Sequence, residues 1–226
     1  MRCPHAQVWR FFWRCIATEA NVQWTVIIPV KALPNAKSRL TAASPDDAAH
    51  ARLVTAMRRD TAHAARNAAT VARVLIVADR SGDPTADLVQ SVPGLNGGVS
   101  EAASFAALRW PADGIAALVG DLPALRSQEL AAALADAADH PSAFVADAAG
   151  TGTTLLTARP GVPLRPAFGP GSAARHARQA VAVSGGPGLR TDVDTAEDLS
   201  QAELLGFGLA TRSVTAASHA RCMMTK

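Results

Sequence analysis

Tyrosine is absent from the 226 residues, and the four Trp and six Phe are mostly terminal or isolated, so they read as packing groups. Cys3, Cys15 and Cys222 are odd in number and far apart, with no Cys-x-x-Cys pair. That excludes a disulfide framework and a zinc site and fits a reducing cytoplasm. Charge is scarce too: 22 basic against 19 acidic side chains leave a net +3, and no long basic run concentrates it. A nucleic-acid footprint is therefore excluded, while a local positive pocket for a small anion is not. The apolar run within residues 1–23 is interrupted by Arg10 and Arg14 and is too short to span a bilayer, so no membrane role is expected. The Walker pattern Gly-x-x-x-x-Gly-Lys-[Ser/Thr] is missing, and no Gly-x-Gly-x-x-Gly follows the first strand. A P-loop NTPase and a Rossmann dehydrogenase are thus both unsupported.

What is present is 49% apolar and rich in alanine, enough for a sizeable core with close-packed helices. Residues 1–23 are expected to be a disordered extension, 24–207 a single domain and 208–226 a tail. Residues 26–28 (Val-Ile-Ile) form a buried strand before Pro29 stops normal ladder pairing. Ser44 as cap and Pro45 in the first helical position start a long helix to about Asn67. Strands are expected at 74–78, 115–119, 143–146, 155–157 and 181–183, and helices at 84–91, 99–109 and 127–138. Another helix opens at Ser172, and a last one follows a Thr195/Asp198 capping box. Residues 92–98 read as a loop. Strands alternating with helices give an α/β sandwich around a mostly parallel sheet.

Three constellations carry chemistry. Lys31, Lys37 and Arg39 follow the first strand and suit a triphosphate, against the alternative of a solvated basic loop. Asp121 ends a predicted central strand, where open α/β sheets place ligand chemistry. With Asp192 and Asp194 it offers hard oxygens for Mg²⁺; the alternative is that the later pair merely caps the terminal helix. Residues 150–154 (Gly-Thr-Gly-Thr-Thr) and 169–172 (Gly-Pro-Gly-Ser) are two Gly-rich loops whose N–H groups and hydroxyls suit anions, helped by the helix that starts at Ser172. They could equally be tight turns. His176 is a secondary candidate for a phosphate or carboxylate.

The ordered set Ile-Pro-Val-Lys with Ala-Lys-Ser-Arg-Leu, then Gly-Asp-Leu-Pro, Gly-Thr-Gly-Thr-Thr-Leu-Leu, Phe-Gly-Pro-Gly-Ser and Asp-Val-Asp-Thr-x-Glu-Asp-Leu resembles the guanylyltransferases of coenzyme F-420 biosynthesis. The resemblance covers roughly residues 24–207. It implies a nucleotidyltransferase (GT-A-like) three-layer α/β sandwich, with GTP as donor, phosphoenolpyruvate or 2-phospho-L-lactate as acceptor, and Mg²⁺ as cofactor. By position it implies that Thr154, Gly169 and Ser172 bind the phospho-acid, that Asp121, Asp192 and Asp194 bind the metal, and that Lys31, Lys37 and Arg39 grip the triphosphate. Thr154 leans toward phosphoenolpyruvate. A downstream transferase of the F-420 pathway is the implied protein partner. The segment 97–105 departs from the usual family pattern, which leaves guanine recognition unassigned. A GT-A-like glycosyltransferase, satisfied by Asp-x-Asp, and a nucleotide-binding regulator without activity are the competing readings.

Overall fold

The computed structural model describes residues 22–31, 40, 46–81 and 83–224. Its centre is a seven-stranded sheet of β1 (Trp24–Val30), β2 (Val71–Ala78), β3 (Leu88–Val89), β4 (Gly114–Leu118), β5 (Ser142–Ala146), β6 (Thr153–Ala158) and β7 (Val181–Ala182). The strand order is β3-β2-β1-β4-β6-β5-β7. All neighbours are parallel except β6, which runs against both β4 and β5. The helices are α1 (Asp47–Arg66), α2 (Leu95–Arg109), α3 (Ser127–Ala137), α4 (Ser172–His176), α5 (Pro187–Arg190), α6 (Ala196–Leu205) and α7 (Leu209–Met224).

Strand alternation sets the layers. Val26, Ile28 and Val30 of β1 pack with Ala62 and Ala65 of α1 and Leu130 and Leu134 of α3. Ile27 faces the other way, into Val99, Ala102 and Ala106 of α2. A sheet buried on both faces needs near-continuous apolar strands, which accounts for Val-Ile-Ile in β1 and Val-Leu-Ile-Val in β2. The architecture is the expected three-layer α/β sandwich. Pro29 does not end β1: pairing with β2 continues to Val30, while pairing with β4 stops at Ile27. The residue lacking a donor thus lies beyond the stretch where both edges are bonded.

Several local expectations give way to tertiary effects. The cap of α1 is Asp46, whose carboxylate accepts from the Ala49 N–H at 2.6 Å, rather than Ser44. Residues 84–91 are not helical; they lead into β3, held by the Asp87 N–H on the Ile76 carbonyl and the Ile76 N–H on the Asp87 carboxylate. Helix α2 begins at Leu95, inside the stretch read as a loop. Its Gly97 allows the first turn to approach Val92, whose Cγ1 would lie 2.6 Å from a Cβ there. Residues 209–224, within the expected tail, are helical. Buried Asp60 of α1 accepts the N–H groups of Ala210 (3.0 Å) and Thr211 (2.7 Å), so a carboxylate from a neighbouring helix caps α7. No described helix is long and apolar enough to cross a membrane.

Candidate active site

The carboxylate side is built where β4 ends. Leu122, next to Asp121, donates its N–H to the buried Thr61 hydroxyl at 3.0 Å, and that hydroxyl donates to the Met57 carbonyl. The Val193 N–H donates to the Asp121 carbonyl at 3.1 Å, so the structure brings the strand end and the Asp-x-Asp segment together. Val193 is buried with Leu53, Val54 and Met57. Asp192 and Asp194, on either side of it, stay partly buried and exposed respectively. Neither caps α6; the cap is Thr195, in reciprocal bonds with Asp198. Capping therefore does not explain the pair. Arg190, two residues upstream, anchors this segment by donating to the carbonyls of Ala146 and Asp147.

Among the described residues no three Asp, Glu, His or Cys side chains form a group that could hold a metal ion unaided. Mg²⁺ ordinarily takes only one or two carboxylates and completes its shell with phosphate oxygens and water. Two all-oxygen segments joined at Asp121 and Val193 fit that habit.

On the cation side, Lys31 follows β1 and is exposed, whereas Lys37 and Arg39 lie outside the described residues. The sequence reading missed Arg58. Its guanidinium, reaching up from α1, donates to the Lys31 carbonyl and lies 3.9 Å from Asp83. Burial lowers its pKa from the ordinary value, while the charges of Asp83, Asp121 and Asp79 act in the opposite direction. A fixed cation thus sits between the β1 end and three acids, and only the fold reveals it. A cavity of about 660 Å³ opens beside it, bordered by Val30, Arg58, Asp79, Arg80 and Asp83. A larger groove of about 1450 Å³ between α1 and α7 borders none of the described candidate site residues.

The two Gly-rich loops turn out differently. In residues 150–154, Asp147 takes the donors: its Oδ1 accepts from the Thr151 N–H (2.9 Å), its Oδ2 from Gly152 (2.8 Å) and its carbonyl from Gly150 (3.1 Å). These amides form a self-satisfied turn and are not free for an anion. What remains is Thr154. The β5 pairing steps from Val145–Leu155 to Ala146–Thr153, which makes Thr154 the extra residue of a bulge. Bulges re-aim side chains and are common beside active sites. The Thr154 side chain is fully buried, its hydroxyl has no hydrogen-bond partner among the described residues, and its carbonyl accepts from Val119, two residues before Asp121.

In residues 169–172 the N–H groups of Gly169 and Gly171 make no hydrogen bond among the described residues. Both glycines hold positive φ, 121° and 70°, which a side chain would resist. Helix α4, which follows, has only five residues, too few aligned peptides for the helix-end field expected there. The loop is instead held by side chains. Asn96 of α2 donates to the Phe168 carbonyl and accepts its N–H, at 3.1 and 2.7 Å. Arg175 donates to the carbonyls of Ala167 and Pro170, and Gln179 to that of Arg165. The Ala173 N–H reaches the Thr151 carbonyl at 3.1 Å, so the helix that begins at Ser172 is tied to the loop leading to Thr154. His176 is fully buried with both ring nitrogens engaged by the protein, which removes it as a ligand contact.

The fold is like that of solved nucleotide-diphospho-sugar transferase-like structures. The chain superposes on a Desulfovibrio desulfuricans protein described as a nucleotide-diphospho-sugar transferase with a TM-score of 0.62 at 16% identity, covering 79% of this chain and 85% of that one. A 4-diphosphocytidyl-2C-methyl-D-erythritol synthase gives 0.50 at 13% identity, covering 81% and 98%. At the level of sequence, the family model described as guanylyl transferase CofC like matches residues 24–215. A Thermomonospora curvata protein named phosphoenolpyruvate guanylyltransferase is 45% identical over 213 residues, 88% of this chain and 91% of the relative. One of the same name from Salinispora arenicola is 48% identical over 197 residues, 82% and 90%. The chain belongs to this CofC-like guanylyltransferase family.

Proposed function

We propose that this chain transfers GMP from GTP to phosphoenolpyruvate, giving enolpyruvyl-diphospho-5′-guanosine and pyrophosphate, as a Mg²⁺-dependent step of coenzyme F-420 biosynthesis. The observation that carries the reading is the buried Thr154 hydroxyl, without a partner among the described residues and next to the Asp121 strand end, in a chain whose relatives are named phosphoenolpyruvate guanylyltransferase. A buried hydroxyl without a partner costs stability, and a substrate oxygen is a reason to retain it.

In this reading the Gly169 N–H and the hydroxyls of Thr154 and Ser172 hold the acceptor. An acceptor phosphate oxygen forms a bond to the α-phosphorus of GTP while the bond from that phosphorus to the bridging oxygen breaks, and the electron pair leaves with pyrophosphate. No proton needs to move, because the nucleophile is already an anion. Lys31, Lys37 and Arg39 grip the triphosphate and the departing pyrophosphate, and Arg58 steadies the Lys31 backbone. Asp121, Asp192 and Asp194 would hold Mg²⁺, which supplies charge neutralisation at the phosphate oxygens. Positioning and charge carry such a displacement without a covalent intermediate.

The test is pyrophosphate release from GTP and Mg²⁺ with phosphoenolpyruvate, 2-phospho-L-lactate and 3-phosphoglycerate side by side. Phosphoenolpyruvate should give the highest kcat/KM; a preference for either other acid would reassign the acceptor. Turnover of a sugar nucleotide with none of the three acids would turn the reading to a glycosyltransferase. Asp194→Asn should abolish Mg²⁺-dependent turnover in a folded protein, and a near-normal rate would remove Asp194 from the site.

A further inference from the structure

We propose that His176 is a positioning residue for the acceptor subsite, bracing the loop of residues 165–172 against the start of β6. The inference rests on the function proposed above and adds a residue that touches neither substrate nor metal. The Ala167 N–H donates to Nε2 at 2.9 Å, and Nδ1 lies 2.9 Å from the Thr153 hydroxyl. A backbone N–H cannot act as an acceptor, so Nε2 must present its lone pair and the single proton of the neutral ring sits on Nδ1. Nδ1 therefore donates to Thr153. One side chain thereby ties the acceptor loop at Ala167 to the strand residue directly before Thr154.

The ring is locked sideways as well. Phe168 meets it edge-on with centroids 5.2 Å apart, and Phe144 of β5 lies at 6.1 Å. Burial first, then the neighbouring Arg175 cation, push the imidazole down to about 4, so the neutral form that this bonding requires is the one present at pH 7. Thr153, Ala167 and His176 lie in three segments, β6, the loop and α4, which carry or flank Thr154, Gly169 and Ser172 in turn. Losing the brace should loosen the acceptor cradle and leave the carboxylate side, built on β4 and residues 192–194, as it is.

Two variants separate positioning from bulk stability. In His176→Gln the amide oxygen falls near the place of Nε2 and can still accept from Ala167. In His176→Asn the shorter side chain reaches only the Nδ1 position. The expected result is a rise of about tenfold or more in the phosphoenolpyruvate KM for Asn, with the GTP KM changed by less than about twofold, and substantial recovery in Gln. Hydrogen exchange at the Ala167 amide should speed up by about tenfold or more in Asn and return toward wild type in Gln. Equal rises in both KM values, or an Asn variant matching wild type in KM and exchange, would overturn the proposal. Wild-type protein that releases no pyrophosphate with any phospho-acid would sink the functional reading instead, and the exchange measurement would still judge the brace.

Discussion

The loops 150–154 and 169–172 both carry glycine at positive φ and a hydroxyl residue, yet they dispose of their backbone donors in opposite ways. Asp147 consumes three N–H groups of the first loop, whereas in the second the Gly169 and Gly171 N–H groups meet no acceptor among the described residues, because side chains brace it through its carbonyls and through the Ala167 and Phe168 amides. Glycine content therefore says little about anion binding. What matters is whether a nearby carboxylate has already taken the donors. The first loop is closed on itself ahead of Thr154, and the second is the one the proposed reaction assigns to a phosphate-bearing acid.

The same substitution in each loop should show the largest contrast. Gly169→Ala strains a backbone at φ 121° and misplaces an open donor, so kcat/KM for phosphoenolpyruvate should fall by the equivalent of about 2–4 kcal/mol, as on losing an oxyanion donor. Gly150→Ala, where nothing lies within 4 Å of the new Cβ, should cost about 1–2 kcal/mol of stability through left-handed strain and leave that kcat/KM near wild type. Equal catalytic losses in the two variants would erase the distinction between the loops.

Acid should affect the braced loop next. The His176 pKa is held below its unfolded value, so the unfolded chain binds the proton more readily. Its stability contribution is present above the unfolded pKa near 6.5 and declines as pH falls toward about 4, by on the order of 2–3 kcal/mol. Arg175 is the charged group that acts on the ring, which also meets Phe144, Phe168, Thr153 and the Ala167 backbone. Unfolding titrations between pH 7 and 4 on wild type and His176→Gln should differ in slope across that window; parallel curves would assign the acid response to other groups.

The smallest effect has an unusual sign. Thr154→Val removes a buried hydroxyl that has no partner among the described residues, so the ligand-free protein should be unchanged or stabilised by about 1 kcal/mol while phosphoenolpyruvate turnover drops. Thermal melts with and without the acid measure both halves, and a destabilised, fully active variant would show that the hydroxyl serves the fold.

The sequence made the core strands readable because Val26, Ile28, Leu75 and Val77 lie in runs that only a doubly covered sheet tolerates. Asp121 stood out for its place at a strand end, and the Thr195/Asp198 box for its spacing. Other features depended on contacts distant in sequence. Strand β3 is two residues long and exists because β2 offers it an edge. Helix α2 carries in its first turn a Gly-Gly pair that local propensity disfavours, a turn that packs on Val92 and is tied to Phe168 through Asn96. Arg58, at a helix position with no local signal, becomes part of the site only when α1 lies across the end of β1. Asp147 directly follows the expected strand 143–146, and nothing in its neighbours announced that it would satisfy the loop after it.

The reversed direction of β6 has a geometric consequence. Loops at the carboxyl ends of parallel strands all open at one rim, and a six-residue strand spans about 20 Å. Had β6 run with its neighbours, its first residues would lie at the far rim, about that distance from Asp121. Turning one strand around puts the start of β6 level with the finish of β4. Under the proposed function, that one reversal sets the acceptor residue Thr154 beside the Asp121 strand end on the same sheet edge, without any added domain.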